Sequence, residues 1–418
     1  MQRSPTTAAA LGFAACFALL ATACGATSGG GSPSKSTILI ALNVPTSADP
    51  YVAGVIGRGA KLAVLEANQG GFKIGSKSYT VALKTYDDNG DPQRAASNVD
   101  SALGDGAVAV IEDGVGITAS AARTAAAGVP EIDITTGDLK LLENRPSAFR
   151  LGIPNDAGSS LLGTYIAAHT HSVAILHDDS EDGRDGSTQL VNALMTAAVT
   201  PQPVIEVSSS LPTLDTQVQE IAAAHVGGVA LWGGDVFIAR AVTALRSAGL
   251  TTPIYTSQAG ESPSVRLLAG RAATDGLTMV TSRMTSENDS TSFGQFEHRL
   301  AVAGLGPTDA GLKNSEGQEI RQPNDVDFFS YDSVRLVLAA LKKDGSASPG
   351  QALLHTLANI SITSANGDAR GFDPQSHEAF AAADVYIAGI HDMQFEPVKD
   401  EQLSATLPKE DEILADFH

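Results

Sequence analysis

Short apolar runs rich in valine and isoleucine recur along the chain, separated by longer stretches with helical spacing. Six of them are TILIAL (37–42), AVAVIE (107–112), VPEIDI (129–134), SVAILH (172–177), QPVIEV (202–207) and GVALW (228–232). They are continuous rather than alternating, which is typical of strands in a parallel sheet that is covered on both faces. The pattern therefore predicts buried parallel strands.

The stretches between these runs place apolar residues along one helix face. The spacing i, i+3, i+4, i+7 occurs over 218–225, 238–245 and 334–341, and a further stripe of small and apolar residues runs over 56–67. Each pattern predicts an amphipathic helix with one buried face. Strands that alternate with helices predict an α/β fold with right-handed crossovers.

The length of the chain predicts two lobes. Its 418 residues exceed what one hydrophobic core usually supports. The pattern changes character near 148–158 and again near 279–289, which we interpret as crossings between lobes. The polar, patternless stretch 306–325 is expected to be a surface loop, and 384–395 is the last strand-like run before an acidic tail.

The N-terminus resembles an export signal. Arg3 precedes an alanine-rich apolar run that falls short of the about 20 residues needed to span a bilayer. Ala21-Thr22-Ala23-Cys24 resembles the bacterial lipobox, although leucine is usual at the position of Ala21. A Gly/Ser-rich stretch that suits a flexible tether follows. We expect a lipidated Cys24, and a plain secretory signal peptide is the alternative.

These signals together predict a division of the chain into segments. The expected segments are a signal peptide (1–23), a lipidated tether (24–36), a first lobe (37–150 with 284–368), a second lobe (151–283 with 369–400) and an acidic tail (401–418). The expected location is extracytoplasmic, with membrane attachment through the lipid anchor alone.

The net charge and the cysteine content limit which binding partners and which disulfides are expected. The formal net charge of −20 would repel a phosphate backbone, so no nucleic-acid partner is expected. The two cysteines are Cys16, inside the expected signal peptide, and Cys24. The exported protein would then have no disulfide and would depend on its core for stability. A monomer is expected.

Several short motifs allow a second interpretation. GVGITA (114–119), with Asp133 at the end of the next strand, resembles a dinucleotide fingerprint, whereas the same geometry at a helix N-terminus holds any small anion. The stretches 87–92 and 178–189 imitate calcium loops but lack the required glycine and glutamate, respectively. The preferred interpretation is a capped turn for the first stretch and a strand-to-helix loop for the second. No motif joins a nucleophile to a base, so neither an enzyme, a cofactor nor a metal site is predicted.

The ordered set of segments resembles the substrate-binding proteins of branched-chain amino-acid-type ABC transporters. The resemblance runs from about 37 to 395 and is carried by GAKLAVLEANQGG (59–71), YDDNGDPQRAASNVDSAL (86–103), FRLGIPND (149–156), VAILHDD (173–179), ALRSAGLTTPIYTS (244–257) and YDSVRLVLAAL (331–341). It implies the type I periplasmic-binding fold: two Rossmann-like α/β lobes with parallel sheets, joined by three crossing strands. A small ligand would bind in the cleft, the lobes would close on it, and the closed form would dock on a cognate ABC permease.

The resemblance also implies site residues. The loops that hold a ligand carboxylate in the family fall on Gly116 and Thr118, and on Thr135 and Thr136. Two aromatic positions of the family become Asp182 and Asp235, and the acid that meets the ligand ammonium becomes Gln258. Further candidates for the cleft wall, from the loop after the first strand, are Thr46, Ser47 and Tyr51.

These departures make the expected binding site more polar and more negative than in the family. Because Gln258 has no charge to pair with an ammonium, Asp235 or Asp182 is expected to take that role, and Glu261 is close in sequence. The predicted ligand is a polar or cationic small molecule rather than leucine, isoleucine or valine. A surface sensor that signals through a partner receptor is the alternative function, and an exported dinucleotide-dependent oxidoreductase is a weaker one.

Overall fold

The computed structural model describes residues 36–286, 291–306 and 311–398, and within them the first large sheet has six strands. Its strands are β1 (Ser36–Val44), β2 (Lys73–Ile74), β3 (Lys77–Asp87), β4 (Ala107–Glu112), β5 (Glu131–Asp133) and β6 (Ala148–Arg150). Their spatial order is β2-β3-β1-β4-β5-β6. All neighbouring pairs are parallel except β2 and β3.

The second large sheet has seven strands in the described part of the chain, and a separate pair forms a small hairpin. The seven are β7 (Val173–Asp178), β8 (Val204–Val207), β9 (Gly228–Trp232), β10 (Ile254–Thr256), β11 (Leu277–Ser282), β14 (Val385–His391) and β15 (Gln394–Pro397); the pair is β12 (Ser361–Thr363) and β13 (Ala369–Gly371). The run 384–395, expected as one strand, is instead part of the antiparallel β14–β15 hairpin, with Asp392 and Met393 at positive φ in its turn.

Helices follow most of the strands. They are α1 (Pro50–Gln69), α2 (Pro92–Gly104), α3 (Ile117–Ala127), α4 (Asn155–His169), α5 (Glu181–Thr196), α6 (Asp215–Ala223), α7 (Asp235–Ser247), α8 (Pro263–Ala269), α9 (Arg271–Thr274), α10 (Arg283–Ser286), α11 (Thr291–Val302), α12 (Asp325–Asp344) and α13 (Gln351–Leu357). The predicted capped turn before α2 is confirmed: Asp91 accepts a 2.7 Å bond from the Arg94 N–H, and Pro92 opens the helix.

The burial of the strands follows their place in the sheets. Every residue of the central strands β4, β7 and β9 is buried, which confirms the predicted coverage on both faces. The same expectation is wrong for β8, where only Val207 is buried, because β8 lies at the edge of the second sheet.

The chain passes three times between the two sheets. The chain first leaves the first sheet after β6. It returns after β11, through α10 and α11, to α12, which packs on α1. It leaves for the last time after β13 and enters β14 of the second sheet. We call the first sheet with α1–α3 and α11–α13 the first lobe, and the second sheet with α4–α9 the second lobe. The residue bounds expected for the lobes stay a prediction.

The stretch 311–324 is more than a surface loop. Leu312 and Ile320 are buried in a small cluster with Met393, and the Ser315 N–H donates a 2.8 Å bond to Asp392. The expectation of a plain surface loop is therefore wrong, because two apolar side chains of this stretch cover the β14–β15 turn.

The predictions for the two ends of the chain concern the signal peptide, Cys24, most of the tether and the acidic tail. These segments lie outside the described residues. None of the helices in the described part combines the length and the apolar content that a membrane span requires.

Candidate functional site

A cavity of about 330 Å³ lies between the lobes, where loops from the carboxyl ends of both sheets meet. The first lobe contributes α1 and the loops after β4 and β5, and the second lobe contributes the loops after β7, β9 and β10. Open parallel sheets bind ligands at this edge because the loops there converge on one crevice. The site therefore lies where the strand pattern places it.

Five of the residues that sequence reasoning proposed come together around this cavity. They are Thr135, Thr136, Asp182, Asp235 and Gln258. The first two follow β5, and the others follow strands of the second sheet, so the two sets belong to opposite lobes. That they contact a ligand stays a prediction.

The other five proposed residues lie outside the lining. Ser47 donates from its N–H and its hydroxyl to Asp87 at 3.0 and 2.6 Å, and Thr46 and Tyr51 lie in the same region at the start of α1. Gly116 is packed against Ala95 instead of facing the cavity. The bonds of Ser47 thus lie within its own lobe.

Thr118 is exposed on α3 and lines a different, open groove of about 580 Å³. That groove lies between α3 and the turn 138–146 and touches Glu181 at the start of α5. It is larger than the cavity between the sheets, but it lies beside α3 rather than at converging strand ends. We therefore assign the functional site to the cavity.

The sequence reasoning missed three acidic residues of the lining: Asp49, Asp113 and Asp178. Asp113 follows β4 directly, and Asp178 is the last residue of β7, so the rule that loops at strand ends carry the site would have found both. Asp49 is the N-cap of α1 and accepts from the N–H groups of Tyr51 and Val52, each at 3.0 Å. No pattern in the sequence indicates that Asp49 lies against the second lobe.

Carboxylates of the chain itself occupy several main-chain N–H groups of the cleft loops. Asp133 accepts from the N–H groups of Thr135 and Thr136 at 3.1 and 3.2 Å, and from the Thr136 hydroxyl at 2.9 Å. Asp178 accepts from the N–H groups of Ser180 and Gly234 at 3.1 and 2.8 Å. These N–H groups are the donors that would otherwise be free to hold an anion.

Asp182 joins the two lobes on one side of the cavity. Its Oδ1 accepts a 2.8 Å bond from the Gly137 N–H of the first lobe and a 3.1 Å bond from the Asn155 amide. The neighbouring Asp185 accepts from the Leu139 N–H at 3.2 Å. Burial raises the pKa of the Asp182 carboxyl to about 6, although these donors favour its charged form.

Two carboxylates from opposite lobes meet on the other side. Ser264 Oγ donates to Asp49 at 2.8–2.9 Å, and Ser262 Oγ donates to Asp235 at 2.6 Å. Burial raises the pKa of Asp235 to about 7, and the adjacent negative charge of Asp49 acts in the same direction. The lobes are thus in direct contact on both sides of the cavity, which describes a closed conformation.

The inner wall is a hydrogen-bonded network around Asp325 at the start of α12. Asp325 accepts from the side chain of Gln258 at 3.1 Å and from Ser282 Oγ at 2.5 Å, and its N–H donates to Glu261 at 3.0 Å. Burial, followed by the Asp325 charge, raises the pKa of Glu261 well above its ordinary value. Gln258 is therefore already engaged with the chain, and one of its roles is structural.

The ionisable side chains of the described cavity lining are all acidic. Its acids are Asp49, Asp113, Asp178, Asp182, Asp235 and Glu261, and among the described lining residues there is no lysine, arginine, histidine or aromatic side chain. The described residues also contain no group of three or more His, Cys, Asp or Glu side chains arranged to hold a metal ion. The cavity thus presents carboxyl and hydroxyl groups beside valine side chains.

Comparisons with known proteins agree with this architecture. A family model described as periplasmic binding protein matches residues 37–394. A leucine-binding protein LivK from Thermotoga maritima superposes with a TM-score of 0.73 at 14% identity, over 86% of this chain and 97% of that one. LivJ from Streptococcus pneumoniae, solved with isoleucine, gives 0.73 at 17% identity, over 87% and 100%.

A further similar structure carries another kind of ligand. A solute-binding protein of an ABC transporter from Rhodopseudomonas palustris, solved with 3,4-dihydroxybenzoic acid, has a TM-score of 0.70 at 18% identity, over 88% of this chain and 99% of that one. A comparison with curated protein sequences gave no match. At these identities the structures show a shared fold.

The fold and the cavity define a two-lobed α/β binding protein of the type I periplasmic-binding class. Because the family model covers most of the chain, the protein belongs to the periplasmic binding protein family, whose structural relatives include substrate-binding proteins of branched-chain amino acid ABC transporters. The family places it outside the cytoplasm. The structural relatives named above are described as leucine-, substrate- or solute-binding proteins.

Proposed function

We propose that this protein is the solute-binding lipoprotein of an ABC importer, which captures a small polar amine or amide in the cleft between its lobes. The observation that carries the proposal is the cavity lined by both lobes, with direct bonds between them on both sides. A ligand that contacts both lobes stabilises the closed form because the open form cannot offer the same contacts.

The lining supports a polar ligand rather than a branched-chain aliphatic one. The relatives named above were described with leucine, isoleucine or an aromatic acid. Here six acids line the cavity, and aromatic side chains are missing from its described lining. Burying a purely apolar side chain beside these carboxylates would desolvate them without supplying a hydrogen bond, which is costly.

The proposed context is the cell surface. A lipid on Cys24 would hold the protein at the membrane, and the Gly/Ser-rich stretch after it would leave the lobes free to reach a permease. The closed lobes would deliver the ligand to that permease. We propose that the protein acts as a monomer.

A ligand screen tests the binding function. The chain from residue 24 onward, with Cys24→Ser, would be unfolded and refolded to remove any bound molecule, and then screened by thermal shift against amines, amides, amino acids, sugars, nucleosides and aromatic acids. A ligand at 100 times its Kd stabilises by about 2.7 kcal/mol, which corresponds to a rise of a few degrees in Tm. Stimulation of the ATPase activity of the reconstituted permease by the loaded protein would support the importer role.

The fluorescence of Trp232 provides a second, independent measurement of ligand binding. It is the single tryptophan of the chain, it is 2% exposed, and its Nε1 donates a 3.1 Å bond to Asn155. Asn155 also donates a hydrogen bond to Asp182, so two hydrogen bonds connect the indole to the acid that contacts the other lobe. A ligand that changes this contact should change the tryptophan emission. If no compound class shifts Tm or emission, and the permease does not respond, the proposed function is wrong.

A further inference from the structure

We infer that the ligand is an organic cation without a carboxylate, an aliphatic amine or guanidine, whose charged end is held between Asp49 and Asp235. This inference rests on the proposed function and specifies its substrate class. Three observations support it. The two acids face the cavity from opposite lobes, the described lining contains no positively charged side chain, and the N–H groups that could hold an anion are already bound to acids of the chain.

The pairing of Asp49 with Asp235 is a contact between like charges. Asp49 belongs to the first lobe and Asp235 to the second, and serines two residues apart, Ser262 and Ser264, bond to one acid each. Both acids line the same cavity from opposite lobes, so their like charges oppose each other there. A cation bound between them would offset this repulsion and would hold the two lobes together.

No side chain in the described lining supplies that positive charge. The arginines closest in the chain are directed elsewhere: Arg58 pairs with Asp327 at 2.5 Å, and Arg240 donates to main-chain oxygens of Ser209 and Leu211. An ammonium or guanidinium group from a ligand would satisfy both acids at once through charge-assisted hydrogen bonds. Because it contacts both lobes, the cation itself would favour the closed form.

A ligand carboxylate would find few donors. Three loops at the strand ends have N–H groups already bound to Asp113, Asp133 or Asp178. Gly233, at φ 143°, allows Asp178 to approach its loop closely, since a Cβ there would lie 2.4 Å from the carboxylate carbon. An added carboxylate would therefore find N–H donors already bound to acids of the chain in the loops where the resemblance places carboxylate contacts.

The rest of the cavity suits a chain of methylene groups with a polar end. Val52, Val55, Val115 and Val326 form an apolar part of the wall. At the inner end a small void of about 20 Å³ shares Thr135, Asp182 and Gln258 with the cavity lining. Ser257 lines this void and is 6% exposed, and its hydroxyl has no hydrogen-bond partner among the residues that the structure describes. This unsatisfied hydroxyl points to a second polar group of the ligand.

Matched ligand pairs test the inference without any mutation. Putrescine and ornithine, and agmatine and arginine, share their charged ends and differ by the α-carboxylate. Calorimetry on the refolded wild-type chain is expected to show binding of at least one decarboxylated compound, with its amino acid partner weaker by at least tenfold. Equal or tighter binding of the amino acid would overturn the exclusion of a carboxylate.

Variants of the two acids test the site. Asp235→Asn and Asp49→Asn keep the shape of each side chain and remove its charge, and each is expected to weaken amine binding by at least tenfold. The control is Asp215→Asn, an exposed acid at the start of α6 that removes the same charge away from the cavity. Unchanged amine affinity in both cleft variants would overturn the assignment.

The outcomes separate this inference from the binding function. If a sugar, leucine or benzoate binds tightly and no amine binds, the inference is wrong and the solute-binding function stands. If no amine or guanidine of the panel binds, the inference is also wrong. A failure of every compound class, together with an unresponsive permease, would remove the proposed function as well.

Discussion

Ser264 Oγ lies 2.9 Å from Oδ1 and 2.8 Å from Oδ2 of Asp49, and it joins the second lobe to the first. Ser264 is 1% exposed, so in the closed form this bond is shielded from water. Within the described residues it complements the Gly137–Asp182 bond on the other side of the cavity. The two contacts make polar groups part of what holds the lobes closed.

Ser264→Ala should therefore favour the open form. The change removes a hydrogen bond to a charged group, a loss of roughly 1.5–3 kcal/mol from the closed form. We expect a larger radius of gyration for the ligand-free protein in small-angle X-ray scattering, and weaker ligand binding. Ser247→Ala, at an exposed position on α7, is the control. Identical scattering of the two variants would contradict a closing role for Ser264.

Stability should fall as pH rises from about 4 to about 7. Burial raises the pKa of Asp182 and of Asp332 to about 6, so each binds its proton more tightly in the folded state than in the unfolded state. Their contribution is complete below the unfolded pKa and is lost as pH rises through the folded value. Each contributes about 3 kcal/mol. Thermal unfolding across this range checks the sign.

Asp332→Asn should flatten this pH dependence without involving the cleft. Asp332 lies in α12 and accepts from the Ala365 N–H at 3.2 Å. An asparagine has no charged form, so it removes one of the groups that lose stability as pH rises. Asp215→Asn should leave the slope unchanged, because that residue is exposed. A steeper slope in Asp332→Asn would contradict the assigned sign.

The ion pair of Arg58 and Asp327 should be a large contributor to the packing of α1 on α12. Its side chains are 4% and 0% exposed, and Arg58 donates to both carboxylate oxygens at 2.6 and 2.5 Å. Arg58→Met would leave Asp327 buried without its counter-charge, at a cost of about 3–5 kcal/mol in urea unfolding. Arg184→Met breaks an exposed pair with Glu206 and should cost at most about 1 kcal/mol. Similar costs for both variants would contradict this account.

Gly233→Ala should disturb the cleft as well as the backbone. Its φ of 143° strains any other residue, and the added Cβ would meet the Asp178 carboxylate at 2.4 Å. Gly249→Ala is a control at φ 81°, where nothing lies within 4 Å of the added atom. Both variants should lose stability in thermal unfolding, and Gly233→Ala alone should lose ligand affinity. Full affinity in Gly233→Ala would show that the position of Asp178 is not required.

The proposed lipidation of Cys24 predicts a change of location when the cysteine is replaced. Cys24→Ala removes the thiol that would carry the lipid, so the protein should move from the membrane fraction to the soluble extracytoplasmic fraction. Metabolic labelling with a fatty acid should be lost in the same variant, and Cys16→Ala is the matched control. A variant that stays in the membrane fraction would contradict the anchor.

Local sequence patterns were sufficient for the order of strands and helices. The family resemblance pointed to Thr135 and Asp182, and both line the cavity, as expected where parallel strands direct their following loops to one edge. The patterns failed at β8 and over 311–324, because coverage of a strand or a loop depends on its neighbours in the sheet. Those neighbours are distant in the sequence.

The sequence by itself determined the α/β alternation and the ordered set of segments that indicates the family. Only the tertiary structure decided what the polar residues of the cleft do. Thr135 and Thr136 give their N–H groups to Asp133, and Gln258 is held by Asp325. The pairing of Asp49 with Asp235 likewise arises between lobes. Hydrogen bonding and charge act over a few ångströms in space, whereas a sequence pattern reports only neighbours along the chain.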